Sequence, residues 1–430
     1  MFLYLKKAAL QLFRRLIIIG ICAFVGILLL AGSYLVPSRL IYENVNKSAI
    51  TLYEEEIGRY VWEDSPETIL DNHTDGLILN EAITFAQDGI SDILLNPHIR
   101  AGGMSAATSL YEVVVLANDD YRTEYYGRYW HGYLAVIRPL LMFFNYTQIR
   151  HLLMTLQIFL VFVYVWMTAR ADALNALIPF AGLWLFLSPI TLFGSLQYAP
   201  CFLVTMLMLI VLFGWKDKID NSRRNDLFLL AGIATAYFDL LTYPLVTLGV
   251  PLLFYLATDR ECLFSAKKAF RNVAALSFSW GGGYAVMWGL KWILASMFTE
   301  ENIIADAMDR ILLRSGQLSE NMPYDKVLKY ATQNMDMNRV FWIFLTLAVL
   351  SVCIRIKRHR MIRKETLPSL GIMLLVSLYP FAWYFVAAEH SMHHGHFVWR
   401  EMGISVYGIL MIGEMVLGLL PGDYDKPPES

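Results

Sequence analysis

Residues 16–36 read LIIIGICAFVGILLLAGSYLV, an unbroken apolar run preceded by Lys6, Lys7, Arg14 and Arg15. About 20 such residues in a helix cross the hydrocarbon core of a bilayer, and basic residues ahead of a first span hold that end in the cytoplasm. Small residues at Ala31-Gly-Ser33 leave signal-peptide cleavage open, although the run is long for a signal peptide's hydrophobic centre. The whole chain matches its beginning: 57% of its 430 residues are hydrophobic, 17% are charged and the mean hydropathy is +0.47. That composition excludes a soluble cytosolic enzyme and makes the lipid bilayer the first partner. A net charge of −2 offers no basic excess, so nucleic acid is excluded as a partner. Cys22, Cys201 and Cys353 lie in apolar runs and Cys262 in a basic loop, a pattern that suits neither an exported disulfide framework nor a thiolate metal cage.

Further apolar runs fall near 152–169, 177–194, 196–214, 227–241, 243–257, 272–298, 340–354, 367–387 and 401–420. The fold class read from this is an all-α polytopic membrane protein of about ten transmembrane helices, with both termini cytoplasmic. Its parts are a cytoplasmic start and first helix (1–36), an extracytoplasmic loop (37–151), a bundle (152–298), a second outer segment (299–339), three last helices (340–420) with an outer loop at 389–400, and a cytoplasmic tail (421–430). On this threading the short inner segments carry 20 Lys and Arg and the longer outer ones 14, as the positive-inside rule requires. The pair of runs from Asp226 to Ala257 is too short for two full crossings and holds Pro244 and Pro251. It reads as a broken hairpin near 239–244, which is tolerated at membrane depth only where protein or a water cavity satisfies the backbone. Asp239 and Tyr243 are the candidates to line such a cavity, because an ionisable residue within a span needs a reason.

The loop 37–151 holds 16 acidic and 8 basic residues and is where chemistry is expected. Ile41, Val45, Leu52 and Ile57 predict an amphipathic helix, Gly76 to Leu95 another, and Ile303, Ile304, Met308, Ile311 and Leu312 an interfacial helix with Asp306, Asp309 and Arg310 opposite. Among the carboxylates Glu63-Asp64, Asp71-Asn-His-Thr-Asp75 and Asp119-Asp120, Asp75 has the best context for a general base. Equally, Asp71 or Asp75 is placed to cap the following helix, and Asp119-Asp120 suits a solvated turn.

Tyr125-Tyr-Gly-Arg-Tyr-Trp-His-Gly-Tyr133 and Arg138 precede the second span. Such aromatic density serves as an interface belt, but Arg128, His131 and Arg138 beside Tyr129 and Trp130 also suit a phosphate-linked sugar. His390, His393, His394 and His396, with Glu389 and Arg400, crowd the last outer loop. They could contact phosphate, ligate a divalent metal such as Zn²⁺ or Mn²⁺, or form a protonatable rim, so no cofactor follows from them. Asn46, Asn72 and Asn145 head Asn-x-Ser/Thr sequons, which matter only in a eukaryotic secretory membrane.

A first span, an acidic outer loop directly after it, and a polytopic bundle with amphipathic outer segments together resemble the GT-C superfamily of integral membrane glycosyltransferases. Asn72-His-Thr-Asp75, Arg128-Tyr-Trp-His-Gly-Tyr133 and Glu389-His-Ser through His396 to Arg400 are similar to patterns in uncharacterised bacterial members. The resemblance implies a polyprenyl-phosphate-sugar donor and a glycan, lipid-linked or protein acceptor. It implies Asp75 as base in an inverting transfer at the outer face of a plasma membrane, serving the cell envelope, with Arg138, Arg400 and the histidines holding phosphate. The acidic dyad common near the first span of that family has no clear match here, Glu63-Asp64 being the nearest adjacent pair. Three rivals remain: a polysaccharide polymerase or ligase, a lipid or solute transporter without catalysis, and a structural or assembly protein.

Overall fold

The helix begun by the basic residues runs on through the apolar run. In the computed structural model, which describes residues 2–84, 89–171, 173–215, 218–319, 321–333, 341–343, 345–347, 350 and 366–416, α1 spans Phe2–Tyr34. Three helical segments are long and apolar enough to cross a membrane: Ala9–Tyr34, Tyr146–Arg170 and Leu367–Val386. Helices of this length and apolarity mark a membrane protein. The run expected at 340–354 lies largely outside the described residues, as do the basic cluster 355–364 and the tail 421–430.

After α1 come α2 (Ser38–Glu55), α3 (Asn72–Ile83), α4 (Ile90–Leu95), α5 (Ala106–Val114), α6 (Leu134–Leu140) and α7 (Tyr146–Arg170). Pro97–Arg100 pairs antiparallel with Arg122–Tyr125, the one sheet among the described residues. Then follow α8 (Leu177–Phe186), α9 (Pro189–Gly194), α10 (Ala199–Gly214), α11 (Asn221–Phe238), α12 (Val246–Thr258), α13 (Arg260–Phe264), α14 (Ala266–Phe298), α15 (Ile303–Arg314) and α16 (Val327–Ala331). Helices at Leu367–Ser377, Tyr379–Val386, Ala388–His393, Gly395–Val398 and Gly403–Val416 complete the described chain. The apolar run 177–194 is two helices, because Ser188 takes a left-handed conformation (φ 60°) before Pro189 restarts the turn.

α2 buries Ile41, Val45 and Leu52 as its spacing predicts, whereas Ile57 lies beyond the helix end and is exposed. The helix expected over Gly76–Leu95 begins earlier, at Asn72, and is two elements, α3 and α4. Gly76 sits inside α3 where a Cβ would stand 2.3 Å from that of Ala107, so its role is the close crossing of α3 and α5. α15 buries Ile303 and Ala307 but leaves Ile304, Met308 and Ile311 exposed.

α1, α11 and α14 run side by side in the same direction. Arg14 pairs with Asp226 at 2.6 Å while Tyr237 donates to the Gly26 carbonyl at 2.7 Å, and Ser279 donates to Asn225 at 3.2 Å while Gly283 meets Leu229. The α11–α14 crossing is made backbone to backbone. A Cβ on Gly232 would lie 2.1 Å from the Trp280 carbonyl, and one on Gly283 2.2 Å from that of Leu229. Between α11 and α12 the turn 239–245 is buried, as a broken hairpin requires, and two carboxylates satisfy it. Asp239 accepts from Thr242 N at 3.0 Å and from its hydroxyl, and Glu401 accepts from Leu245 N at 3.1 Å. Leu241, in the left-handed region (φ 68°), is held by His390, whose Nε2 bonds its carbonyl at 2.9 Å.

Candidate functional site

Asp71 closes the amino end of α3, taking the Thr74 N–H at 3.1 Å and the Thr74 hydroxyl at 2.9 Å, so it and not Asp75 is the cap. Asp75 lies one turn on and is fully buried. It accepts from the Tyr146 hydroxyl at 2.6 Å and from the backbone N–H groups of Leu196 and Gln197 at 2.9 and 3.0 Å. Burial lifts its pKa to about 6 against the pull of the Arg150 guanidinium and the Tyr146 hydroxyl. Arg150, in the first turns of α7, ties this network together: it holds Glu55 at 2.9 Å and Asn72 at 3.0 Å, donates to the Tyr146 hydroxyl, and lies 3.8 Å over that ring.

The histidine segment folds onto the same region. His396 Nε2 lies 4.0 Å from Asp71 Oδ2, bringing the first and last outer loops of the sequence reading into one cluster. His390 and His394 stand 4.7 Å apart, His394 and His396 6.0 Å apart, and His394 stacks on Phe397. His393 is exposed and close to its own helix, its Nδ1 3.3 Å from the Glu389 carbonyl. Among the described residues no three His, Cys, Asp or Glu side chains are grouped to hold a metal ion, so Glu389 and the four histidines do not make a ligand set in this arrangement.

Beside this cluster is a cavity of about 200 Å³ walled by Trp288, Trp292 and Trp383 with Tyr129, and carrying Arg128, Arg310 and Arg314. Leu241 and Ala387 line it too, so its wall adjoins the helix bearing His390. Arg128 pairs with Asp306 at 2.5 Å, and Arg314 bonds the Tyr129 hydroxyl. Burial raises the Tyr129 pKa to about 12, so it stays a neutral phenol.

The other candidates point elsewhere. Trp130 is buried and donates to the Met287 carbonyl at 2.8 Å, while His131 is held by Glu81 at 2.9 Å and lies 2.5 Å from Tyr133 Oη. Arg138, fully buried, spends its donors on Ala82 and Val36 carbonyls and Ser38, stapling α1 to α3. Arg400 is equally buried, 4.0 Å over the Tyr198 ring and bonded to Thr191 at 2.8 Å and the Leu187 carbonyl at 3.3 Å. Tyr243 donates to the Tyr198 carbonyl. Arg138, Arg400, Asp239 and Tyr243 are thus committed to the protein's own polar groups. Two of the sequon amides are committed likewise, Asn46 donating to Val114 and Asn72 to Glu56, while the side-chain oxygen of Asn145 caps α7. Asp120 N–H bonds the Asn118 side chain at 2.9 Å in an exposed turn, as its composition predicts.

Burial holds His390 and His396 below the usual imidazole range and His394 at about 3. A base whose pKa is depressed by folding contributes stability that is complete above the unfolded pKa near 6.5 and is lost as pH falls. Asp75, with its pKa raised, works in the opposite sense between about pH 4 and 6, but it is one group against three. Acidification from pH 7 to 5 should therefore loosen the segment 388–400, by about 2 kcal/mol through His394 and in the same direction through His390 and His396. Backbone hydrogen exchange across that range checks this, and His390→Gln with His394→Gln should flatten the profile.

The chain matches no protein-family description, and neither curated proteins nor solved structures give a significant match to it. The site therefore rests on its own geometry. Sequence reading missed Arg150, Tyr146, Arg314, Trp288 and Trp292. The only signal for the last two was the four-residue spacing of Trp280, Tyr284, Trp288 and Trp292 along one face of α14.

Proposed function

We propose that this protein is an integral membrane glycosyltransferase that moves a sugar, with inversion, from a polyprenyl-phosphate donor to an acceptor at the extracytoplasmic face. About ten crossings with both termini cytoplasmic go with this reading. It is supported by the shared direction of α1, α11 and α14, whose starting ends carry Arg14 and Arg15, Arg223 and Arg224, and Lys267 and Lys268.

One observation carries the proposal: three guanidinium groups and three indoles converge on one cavity beside a carboxylate–histidine cluster. Guanidinium forks pair with phosphate oxygens, and indole faces suit both a pyranose ring and isoprenoid carbons. The exposed Ile304, Met308 and Ile311 of α15 suit a helix lying at the membrane surface over that cavity.

Native mass spectrometry in nanodiscs with undecaprenyl phosphate tests the reading. Charged hydrogen bonds are worth about 1.5–3 kcal/mol, so Arg314→Ala should weaken binding tenfold or more, and Arg310→Ala less. No binding by the unaltered protein would remove the glycosyltransferase reading. Binding without turnover of any undecaprenyl-phosphate hexose or pentose would favour a lipid transporter.

A further inference from the structure

We infer that the proton-accepting group of this site is His396, oriented by Asp71, and that Asp75 is a structural carboxylate. This rests on the transferase reading above and concerns which residue does the proton transfer. A general base must reach the proton it takes. Asp75 has no exposed surface, and its oxygens receive a phenol and two backbone N–H groups, so an incoming hydroxyl would have to displace partners that hold α3 to the segment before α10. The His396 side chain, by contrast, is 33% exposed, and its Nε2 faces Asp71.

With Nε2–H directed at Asp71, Nδ1 carries the lone pair. The 4.0 Å separation exceeds a direct hydrogen bond, and catalytic contacts of this kind tighten when substrate is bound. The step balances as follows. The acceptor O–H proton passes to His396 Nδ1, and the acceptor oxygen's pair forms the bond to the anomeric carbon. The anomeric carbon–oxygen bond breaks, and its pair leaves with polyprenyl phosphate. The imidazolium, stabilised by Asp71, then releases its proton to solvent. Asp71 keeps its place by capping α3 through the Thr74 N–H, so the same carboxylate sets the helix and faces the ring.

The groups that face His396 are Asp71 and His73 from α3, Arg400 from the turn that follows it, and His394 from its own segment. Asp71 is the only negative one, so its removal should lower the pKa of His396. Asp71→Asn is the clean variant because asparagine caps a helix as well as aspartate does.

The experiment is diethylpyrocarbonate labelling of the full chain in nanodiscs, read for His396 by peptide mass spectrometry against pH, with and without undecaprenyl phosphate. The expected result is a labelling midpoint that moves to lower pH in Asp71→Asn but not in Asp75→Asn, and labelling slowed about tenfold by the lipid phosphate. With any undecaprenyl-phosphate sugar that is turned over, His396→Gln should cost about 10²–10⁴-fold in kcat while undecaprenyl phosphate still binds. An unchanged midpoint in Asp71→Asn overturns the pairing. Bound undecaprenyl phosphate that leaves His396 labelling unchanged overturns its place at the reacting centre and leaves the transferase reading standing. No binding of undecaprenyl phosphate overturns both.

Discussion

Arg150→Met should cost the protein about 3–5 kcal/mol, the largest single effect expected from a side chain outside the apolar core. Among the described residues the guanidinium is the one cation bonded to both Glu55 and the Asn72–Tyr146–Asp75 set; Glu55, 12% exposed, also pairs with Arg59 at 3.0 Å, while Asp75 is fully buried. Methionine keeps most of the volume but leaves the buried Asn72–Tyr146–Asp75 set without its cation and Glu55 with Arg59 alone. Arg150→Lys should recover only part of the loss, because one ammonium cannot reach Glu55, Asn72 and Tyr146 together. Thermal unfolding followed by tryptophan fluorescence checks both. A loss below about 1 kcal/mol for Arg150→Met would mean that the network is solvated and that Asp75 is more accessible than its burial implies.

Gly283→Leu should disrupt the bundle to a similar degree by a steric route. Its Cβ would stand 2.2 Å from the Leu229 carbonyl and 3.3 Å from Ile233 N, and neither backbone atom can turn aside as a side-chain tip could. α11 and α14 must then separate or slide, at about 3 kcal/mol. Gly232→Val should act alike from the other side of the crossing. Gly282→Ala is the control: nothing lies within 4 Å of its added Cβ, and replacing a helix-interior glycine gains up to about 1 kcal/mol. Equal losses at 282 and 283 would show that the close approach at Gly283 does not set the cost.

What the sequence disclosed and what it concealed divide along a physical line. Local quantities were legible. The apolar lengths of α1, α7 and 367–386, the weak hairpin at Pro244, the buried face of α2 and the Asn118–Asp120 turn follow from neighbours within a few residues. The choice between Asp71 and Asp75 as cap was not, since both fit the pattern and the decision lies in the Thr74 bonds. Arg150 gave no sign, because Asn72 and Glu55, which it ties to its helix neighbour Tyr146, stand 78 and 95 residues away. Arg128 and Tyr129, singled out for their aromatic setting, line the cavity. Yet Trp130 and His131, next to them, turn into the core, since the chain at His131 takes a left-handed bend (φ 53°) against Tyr237. Arg138 and Arg400 drew attention as phosphate donors by charge alone, and charge alone says nothing of whether a guanidinium meets a ligand or a carbonyl.

The common direction of α1, α11 and α14 bears on how such a chain is assembled. On the proposed ten-crossing topology, helices that point the same way and lie in contact must be separated, along the chain, by an odd number of traverses. Each of the three also opens on its own basic residues, so each carries the charge that would orient it without help from the others. Contacts between α1 and α11 join residues more than 200 positions apart, so on that topology α1 stands in the bilayer before α11 is made. During that interval Arg14 lacks Ser222 and Asp226, the Gly26 carbonyl keeps only its bond within the helix, and the first helix is held in its pose by its flanking charges and lipid alone. Final packing on the proposed topology then needs sideways approach of helices already upright, with no inversion.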